Sequence, residues 1–197
     1  MKITIDGKEF EVSEAKANEL RKMLGEKQRR LAEVPVGETF FIGDMEFIKF
    51  RDDGGKVVTV MKDSAFNSEF NDTRSNNFKD SKIHKRLEKE ILPKIEKIVG
   101  KENMIEFETD LLTLDGLKIH GAMRSKISLP TFDFYRENRE IFDKYNLGKW
   151  WLATANSEDT YVTCVSPVGN VFFNCISSYR YIGVRPFIIF LSDIFVS

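Results

Sequence analysis

The 197 residues suit one domain with an appendage, since single hydrophobic cores serve roughly 100–200 residues. A net charge of −1, with 31% charged and 42% hydrophobic residues, leaves no electrostatic footprint for nucleic acid or an anionic membrane. The start of the chain lacks the apolar run of a signal peptide, no window approaches the roughly 18 apolar residues of a membrane span, and two cysteines make no disulfide framework. The expectation is a cytoplasmic protein or, by export without a cleaved signal, a virion component.

Ile3 and Ile5 alternate before Asp6-Gly7, and Phe10 and Val12 alternate after it, which predicts a hairpin because Gly accepts the positive φ of a tight turn. Ser13 can cap a helix whose stripe is Ala15, Ala17, Leu20, Met23, Leu24 and Leu31. Residues 1–33 are thus an N-terminal hairpin-helix appendage. It buries too little alone, so it packs on the main domain or mediates a homo-oligomer. Val34-Pro35-Val36-Gly37 marks the boundary, and residues 36–197 form the main domain. Thr39 to Ile42, Met45 to Arg51 and Lys56 to Met61 read as a meander. Phe66, Phe70 and Phe78 pin the irregular stretch after it. Ser81 caps a helix running to Val99, kinked at Pro93 and ended by Gly100. Met104 to Leu114 is extended up to Asp115-Gly116, Ser125 to Leu129 is a short strand, and Thr131 caps a helix from Phe132 to Tyr145. Strands fill the rest.

The chain offers little catalytic patterning. His84 and His120 lack HExxH or CxxC company, so no metal is expected, and there is no P-loop, GxGxxG or GxSxG. No cofactor and no catalytic residue are assigned. Asp110, Asp115, Asp133 and Glu137 could form an acid pair, but their spacing does not demand it, and solvated carboxylates are the preferred reading. Trp150 and Trp151, adjacent in a strand, put one ring on each face, one in the core and one at a rim or a site. Arg185 before Pro186 lies in an apolar run. It reads as a buried structural clamp hydrogen-bonded to backbone carbonyls or a carboxylate.

A two-residue turn at Gly169-Asn170 would pair Val168 with Val171 and Cys164 with Cys175. The cysteines could then form a disulfide, bind copper or do redox chemistry, or pack as small reduced hydrophobes, the last being preferred. The same register puts Tyr161, Thr163, Phe172 and Asn174 on one face, with Val162, Cys164, Val171, Phe173 and Cys175 on the other. Together with Asn156, Ser177, Tyr179 and Tyr181 the first set makes a Tyr/Asn/Ser-rich surface of the kind that antibodies use for binding; a solvated strand face is the equal alternative.

Trp150-Trp151-Leu152, Val168-Gly169-Asn170-Val171 and Gly183-Val184-Arg185-Pro186 together resemble the end of an uncharacterised domain family of bacteria and their prophages. Asn77-Phe78-Lys79-Asp80-Ser81 resembles its W-x-x-S segment, with Phe78 in the Trp position. That family is similar to the C-type-lectin-like fold, shared by formylglycine-generating enzymes and the variable proteins of diversity-generating retroelements. The resemblance implies an α+β domain with two helices, a small twisted antiparallel sheet and an irregular ligand-facing region. The wide spacing of Cys164 and Cys175 departs from the closely spaced copper-binding cysteines of those enzymes. The expected function is a non-catalytic, phage- or prophage-associated binding protein for an unknown protein or carbohydrate. A formylglycine-generating-type or other enzyme and an assembly subunit are the alternatives.

Overall fold

The computed structural model describes residues 2–5, 8–11, 28–145, 148–158, 160–175 and 181–197, with backbone alone for 2–5, 8–11 and 175. The helix expected after Ser13 therefore lies outside the described residues, as do Ser177 and Tyr179. The architecture is mixed α+β, with several sheets and two helical regions. β1 (Lys2–Ile5) and β2 (Lys8–Glu11) pair antiparallel with Ile3 opposite Phe10, the register that a two-residue Asp6-Gly7 connection sets. Leu31 is not part of a helical stripe. Arg29–Arg30 is a short strand, β3, and Leu31–Glu33 is a 3₁₀ turn that drops Leu31, fully buried, into the main core.

The meander forms as the turn residues dictate: β4 (Thr39–Ile42), β5 (Met45–Asp52) and β6 (Lys56–Met61) run antiparallel. Gly43 and Gly54 take positive φ in the two turns. A bulge between Lys49 and Arg51 breaks the alternation of β5, so four consecutive residues, Phe47 to Phe50, are buried. Within this run Lys49 turns its ammonium to the carbonyls of Leu31 and Ala32, at 3.1 and 3.2 Å, and to Asp52 at 3.3 Å.

Ser81 caps the first helical region through the His84 amide at 3.0 Å. This region comprises α1 (Lys82–Arg86), a wide π turn (Leu87–Ile91) and α2 (Leu92–Val99). The wide turn immediately precedes Pro93, whose ring and missing N–H a regular helix could not accommodate, so the expected kink takes the form of a local unwinding. Gly100 ends it at φ 88°. The next strand pair is β8 (Phe107–Asp110) with β9 (Ala122–Ser125). The second strand thus begins earlier than expected, and Ser128 only bridges to Phe187. The helix capped by Thr131 breaks at Asn138 into α3 (Phe132–Glu137) and α4 (Arg139–Lys144).

The C-terminal strands do not share one antiparallel sheet. β10 (Trp150–Ala155), β11 (Tyr161–Val165), β12 (Val171–Cys175), the two-residue β13 (Gly183–Val184) and β7 (Phe66–Asn67) form a mixed sheet in the order β12-β11-β10-β13-β7, with β10 and β13 parallel. At Arg185-Pro186 the chain leaves this sheet, and β14 (Phe187–Leu191) joins the meander at β6. β15 (Phe195–Val196) then pairs with β3. β10 is covered on both faces. Trp150 packs against Tyr135 and Phe142, whereas Trp151 packs on Phe70 and donates its indole N–H to the Ser68 carbonyl at 2.9 Å. Both rings are fully buried, so neither stands at a rim. Phe70 and Phe78 are buried as the expected anchors of the irregular segment.

Arg185 is 2% exposed, and its guanidinium lies 4.8 Å from the Trp150 ring and 5.5 Å from that of Phe142. Nε donates to the Met61 carbonyl at 3.0 Å, while among the described residues neither Nη has a hydrogen-bond partner. Burial pulls its pKa down from the ordinary guanidinium range to about 10, against the opposing fields of Asp63 and Tyr135. The clamp is thus a single hydrogen bond and two ring contacts rather than an ion pair. An incompletely satisfied buried charge is replaceable by an apolar chain of similar length. Arg185→Met is therefore expected to be as stable as the wild type or more so, by about 1 kcal/mol in urea unfolding; a loss of about 2 kcal/mol would contradict the account. Because the unfolded arginine keeps its proton to higher pH, the wild type, and not the variant, should gain stability from this group as pH rises above about 10.

Candidate binding cleft

The β11–β12 turn is not the two-residue type. Gly169 donates to the Ser166 carbonyl at 2.9 Å, Ser166 donates to the Asn170 carbonyl at 2.8 Å, and Gly169 takes φ 79°. Pro167 suits the first corner and Gly169 the left-handed position, which selects a longer turn with a glycine bulge. The register therefore pairs Val165 with Val171, Cys164 with Phe172 and Tyr161 with Cys175. This differs from the expected register by an odd number of residues, which exchanges the faces of one strand relative to the other.

The expected Tyr/Asn/Ser surface is accordingly divided. Tyr161 and Thr163 share a face with Phe173, whereas Phe172 and Asn174 share a face with Val162 and Cys164. Thr163 is fully buried, and Asn174 is 9% exposed with its amide donating to the Cys164 sulfur at 2.8 Å. Phe172 is half-buried against the core beneath the Lys149 ammonium, 4.8 Å from the ring. Asn156 orders its own loop: its side chain accepts from the Glu158 amide at 3.1 Å, and its carbonyl accepts from Asn76 at 2.9 Å. Tyr161 meets Phe173 edge to face at 5.8 Å, and Phe173 and Tyr181 are 52% and 87% exposed. Cys164 and Cys175 are not cross-strand partners. Cys164 is a buried free thiol whose pKa burial raises to about 11, so the thiolate needed for a metal or a nucleophile is disfavoured. Cys164 packs as a small buried residue, as expected for it, while the side chain of Cys175 lies outside what the structure describes. His84 pairs with Glu88 at 3.4 Å, and among the described residues no group of three His, Cys, Asp or Glu is placed to hold a metal ion.

A concave feature lies elsewhere among the described residues. A cleft of about 700 Å³ opens between β8, the 111–121 connection and α3, within the ordinary size range of ligand pockets. Its floor is apolar: the Phe187 ring sits 5.1 Å from Phe107 and 5.0 Å from Phe134, with Leu129 and Ile189 alongside. Thr154, from β10, fixes the start of α3 by accepting from the Phe132 amide at 2.8 Å. Asp110 and Asp115 from one stretch of the chain and Asp133 and Glu137 from another all line this one cleft, together with Glu108.

The borders of the cleft are unequally compensated. Asp133 is paired with Arg136 at 3.1 Å, Glu108 with Arg124 at 3.4 Å, and Asp115 accepts from Thr113. The lining Arg51 is engaged by Asp53 at 2.7 Å. Among the described residues the carboxylates of Asp110, on β8, and Glu137, on α3, have neither a hydrogen-bond nor an ion-pair partner. The 111–121 connection carries Leu114, Leu117 and Ile119, which are 36%, 48% and 56% exposed, so an apolar surface continues beyond the cleft. That connection is tied down rather than loose: the Leu114 amide donates to the Ala155 carbonyl at 2.8 Å and Leu111 to Gly121 at 3.0 Å.

The sequence names these four carboxylates as a possible acid pair but prefers solvated side chains, because their convergence depends on packing α3 beside β8. Phe107, Phe132 and Phe187 went unremarked as a set for the same reason. The one local signal was the density of exposed apolar residues between Leu112 and Ile119, unusual for a connection with turn chemistry. Comparison with protein-family models, curated proteins and solved structures finds no match to this chain.

Proposed function

We propose that this chain is a non-catalytic binding protein that receives a basic, amphipathic segment of a partner protein in the cleft between β8 and α3. The observation that carries the reading is an aromatic floor bordered by Asp110 and Glu137, two carboxylates with no counter-ion among the described residues. A segment with an apolar face and Lys or Arg along its edges meets both features, and the exposed Leu117 and Ile119 extend its footing. A polyanion is repelled by the same borders.

Membership of the prophage-type, C-type-lectin-like family is part of this proposal. The α+β architecture, the two helical regions and the buried Trp-Trp strand support it, and the 111–121 connection then corresponds to the irregular ligand-facing region that the resemblance implies. The phage or prophage association rests on that resemblance.

The test is fluorescence anisotropy with three labelled probes: a designed Lys/Leu amphipathic peptide, its Glu/Leu counterpart and a neutral oligosaccharide. The Lys/Leu peptide is expected to bind alone, and to weaken with added salt. Asp110→Asn and Glu137→Gln should each weaken it by about threefold to fivefold, and Phe132→Ala by about tenfold, without loss of fold by circular dichroism. Equal binding of the Glu/Leu peptide, preference for the oligosaccharide or indifference to all three substitutions would overturn the reading.

A second reading is favoured by the convergence itself. Asp110, Asp115, Asp133 and Glu137 in one cleft meet the first requirement for paired acid–base catalysis. Turnover of a peptide or glycoside substrate that Asp110→Asn or Glu137→Gln abolishes would establish it.

A further inference from the structure

Among the described residues β8 has a single ladder partner, β9. The Leu111 amide donates to the directly opposite Gly121 carbonyl, so the hydrogen-bonded pairs of this ladder fall at Thr109–Met123 and Phe107–Ser125. The backbone N–H and C=O groups of Glu108 and Asp110 therefore point away from β9, and among the described residues no other hydrogen bond reaches them. Both edges of the four-stranded sheet, by contrast, are closed by the chain itself. Phe41 of β4 exchanges backbone hydrogen bonds with Ser197, and Phe187 of β14 exchanges them with Ser128.

The open edge of β8 faces the cleft. A hollow against one face of a strand touches alternate residues, whereas this one is lined by all four of β8, Phe107 to Asp110, and by none of β9. Side-chain alternation then gives the edge two levels. Phe107 and Thr109 turn inward, the first against Phe187 and the second donating to the Ser128 hydroxyl at 3.3 Å, while Glu108 and Asp110 are exposed on the opposite face. A strand laid along this edge sets one row of side chains over the aromatic floor and the other beside the carboxylates, which calls for apolar and basic residues in alternation. A second copy of β8 would bring like charges together, so the edge rejects its own kind and suits a basic strand.

We infer, resting on the cleft reading above, that the partner segment binds as an extended strand added to β8 through the backbone of Glu108 and Asp110, with its basic and apolar residues alternating. Main-chain hydrogen bonds then hold the segment, and the alternation sets which sequences are accepted.

The experiment compares two Lys/Leu peptides of identical composition and about fourteen residues, long enough for a helix. One alternates Lys and Leu, and the other places Leu at helical spacing. By fluorescence anisotropy the alternating peptide is expected to bind about tenfold more tightly, the ratio for one or two backbone hydrogen bonds. N-methylation of its residues of one parity should weaken it by about tenfold or more, and of the other parity by less than about twofold, since only alternate N–H groups face β8. Amide hydrogen exchange at Glu108 and Asp110 should slow on binding, against the already paired amides of Phe107 and Thr109 as internal controls. Preference for the helical peptide, with Asp110→Asn and Glu137→Gln still weakening it, would overturn the strand inference and leave the cleft reading standing. Equal loss from both N-methylated sets, or unchanged exchange at Glu108 and Asp110 in the bound state, would overturn the inference as well. Failure of both peptides to bind would overturn the cleft reading and this inference together.

Discussion

Replacing Lys49 with Met is expected to destabilise the protein by about 3 kcal/mol in urea unfolding. The residue is 2% exposed, in the middle of an apolar strand, and its ammonium satisfies the Leu31 and Ala32 carbonyls and Asp52 at once. Met fills nearly the same space but takes a charged donor from the Leu31 carbonyl, which keeps only the Val34 amide at 3.2 Å, and from the Ala32 carbonyl, and it leaves a half-buried carboxylate without its counter-ion. The effect should be cooperative with the entry of the chain into the main core, because Leu31 is fully buried one bond away from the acceptor. The comparison with Arg185 is instructive. Both cations are buried to the same degree, yet one has all its donors placed and the other leaves both Nη groups without partners. Partner satisfaction, rather than burial, should therefore decide the sign of the two Met substitutions. A loss below about 1 kcal/mol for Lys49→Met would refute that argument.

Trp150→Ala and Trp151→Ala should each cost about 4 kcal/mol, since each removes a large fully buried ring from a packed cluster. Equality is the informative part. Trp150 belongs to the cluster of Tyr135 and Phe142 under α3 and α4, and Trp151 to that of Phe70 and Phe78 beside the first helical region. A ring at the rim of a sheet would lose much less on truncation. Trp151→Phe keeps an aromatic ring, though a smaller one, and leaves the Ser68 carbonyl without this donor, so an intermediate loss of about 2 kcal/mol is expected. A cost under about 1 kcal/mol for either alanine variant would contradict a sheet covered on both faces.

Local chemistry explains which parts of this architecture can be read from the chain. Gly43, Gly54, Ser81, Gly100 and Thr131 each act within a few residues of themselves, and the turns, caps and stops they imply are present. The opposite orientation of Trp150 and Trp151 is equally local, because side chains alternate along any strand. That both faces are covered is not local: the second cover is the segment from Ser68 to Phe78, some eighty residues earlier in the chain. Pro167 and Gly169 did carry the longer turn, but Gly169-Asn170 offered a competing two-residue solution, and the choice between them inverted the proposed binding face. The convergence of Asp110, Asp115, Asp133 and Glu137 likewise depends on the packing of α3 beside β8, which no spacing in the sequence encodes.

The central claim is that ligand enters the cleft between β8 and α3 rather than the aromatic end of the β11–β12 hairpin. Backbone amide chemical-shift mapping by NMR, with the Lys/Leu amphipathic peptide titrated into isotopically labelled protein, decides between them most directly. The account predicts progressive shifts centred on residues 107–117 and 132–137, with those of Tyr161, Phe173 and Tyr181 unmoved. Shifts confined to Tyr161, Phe173 and Tyr181, with the cleft silent at saturating peptide, would contradict it.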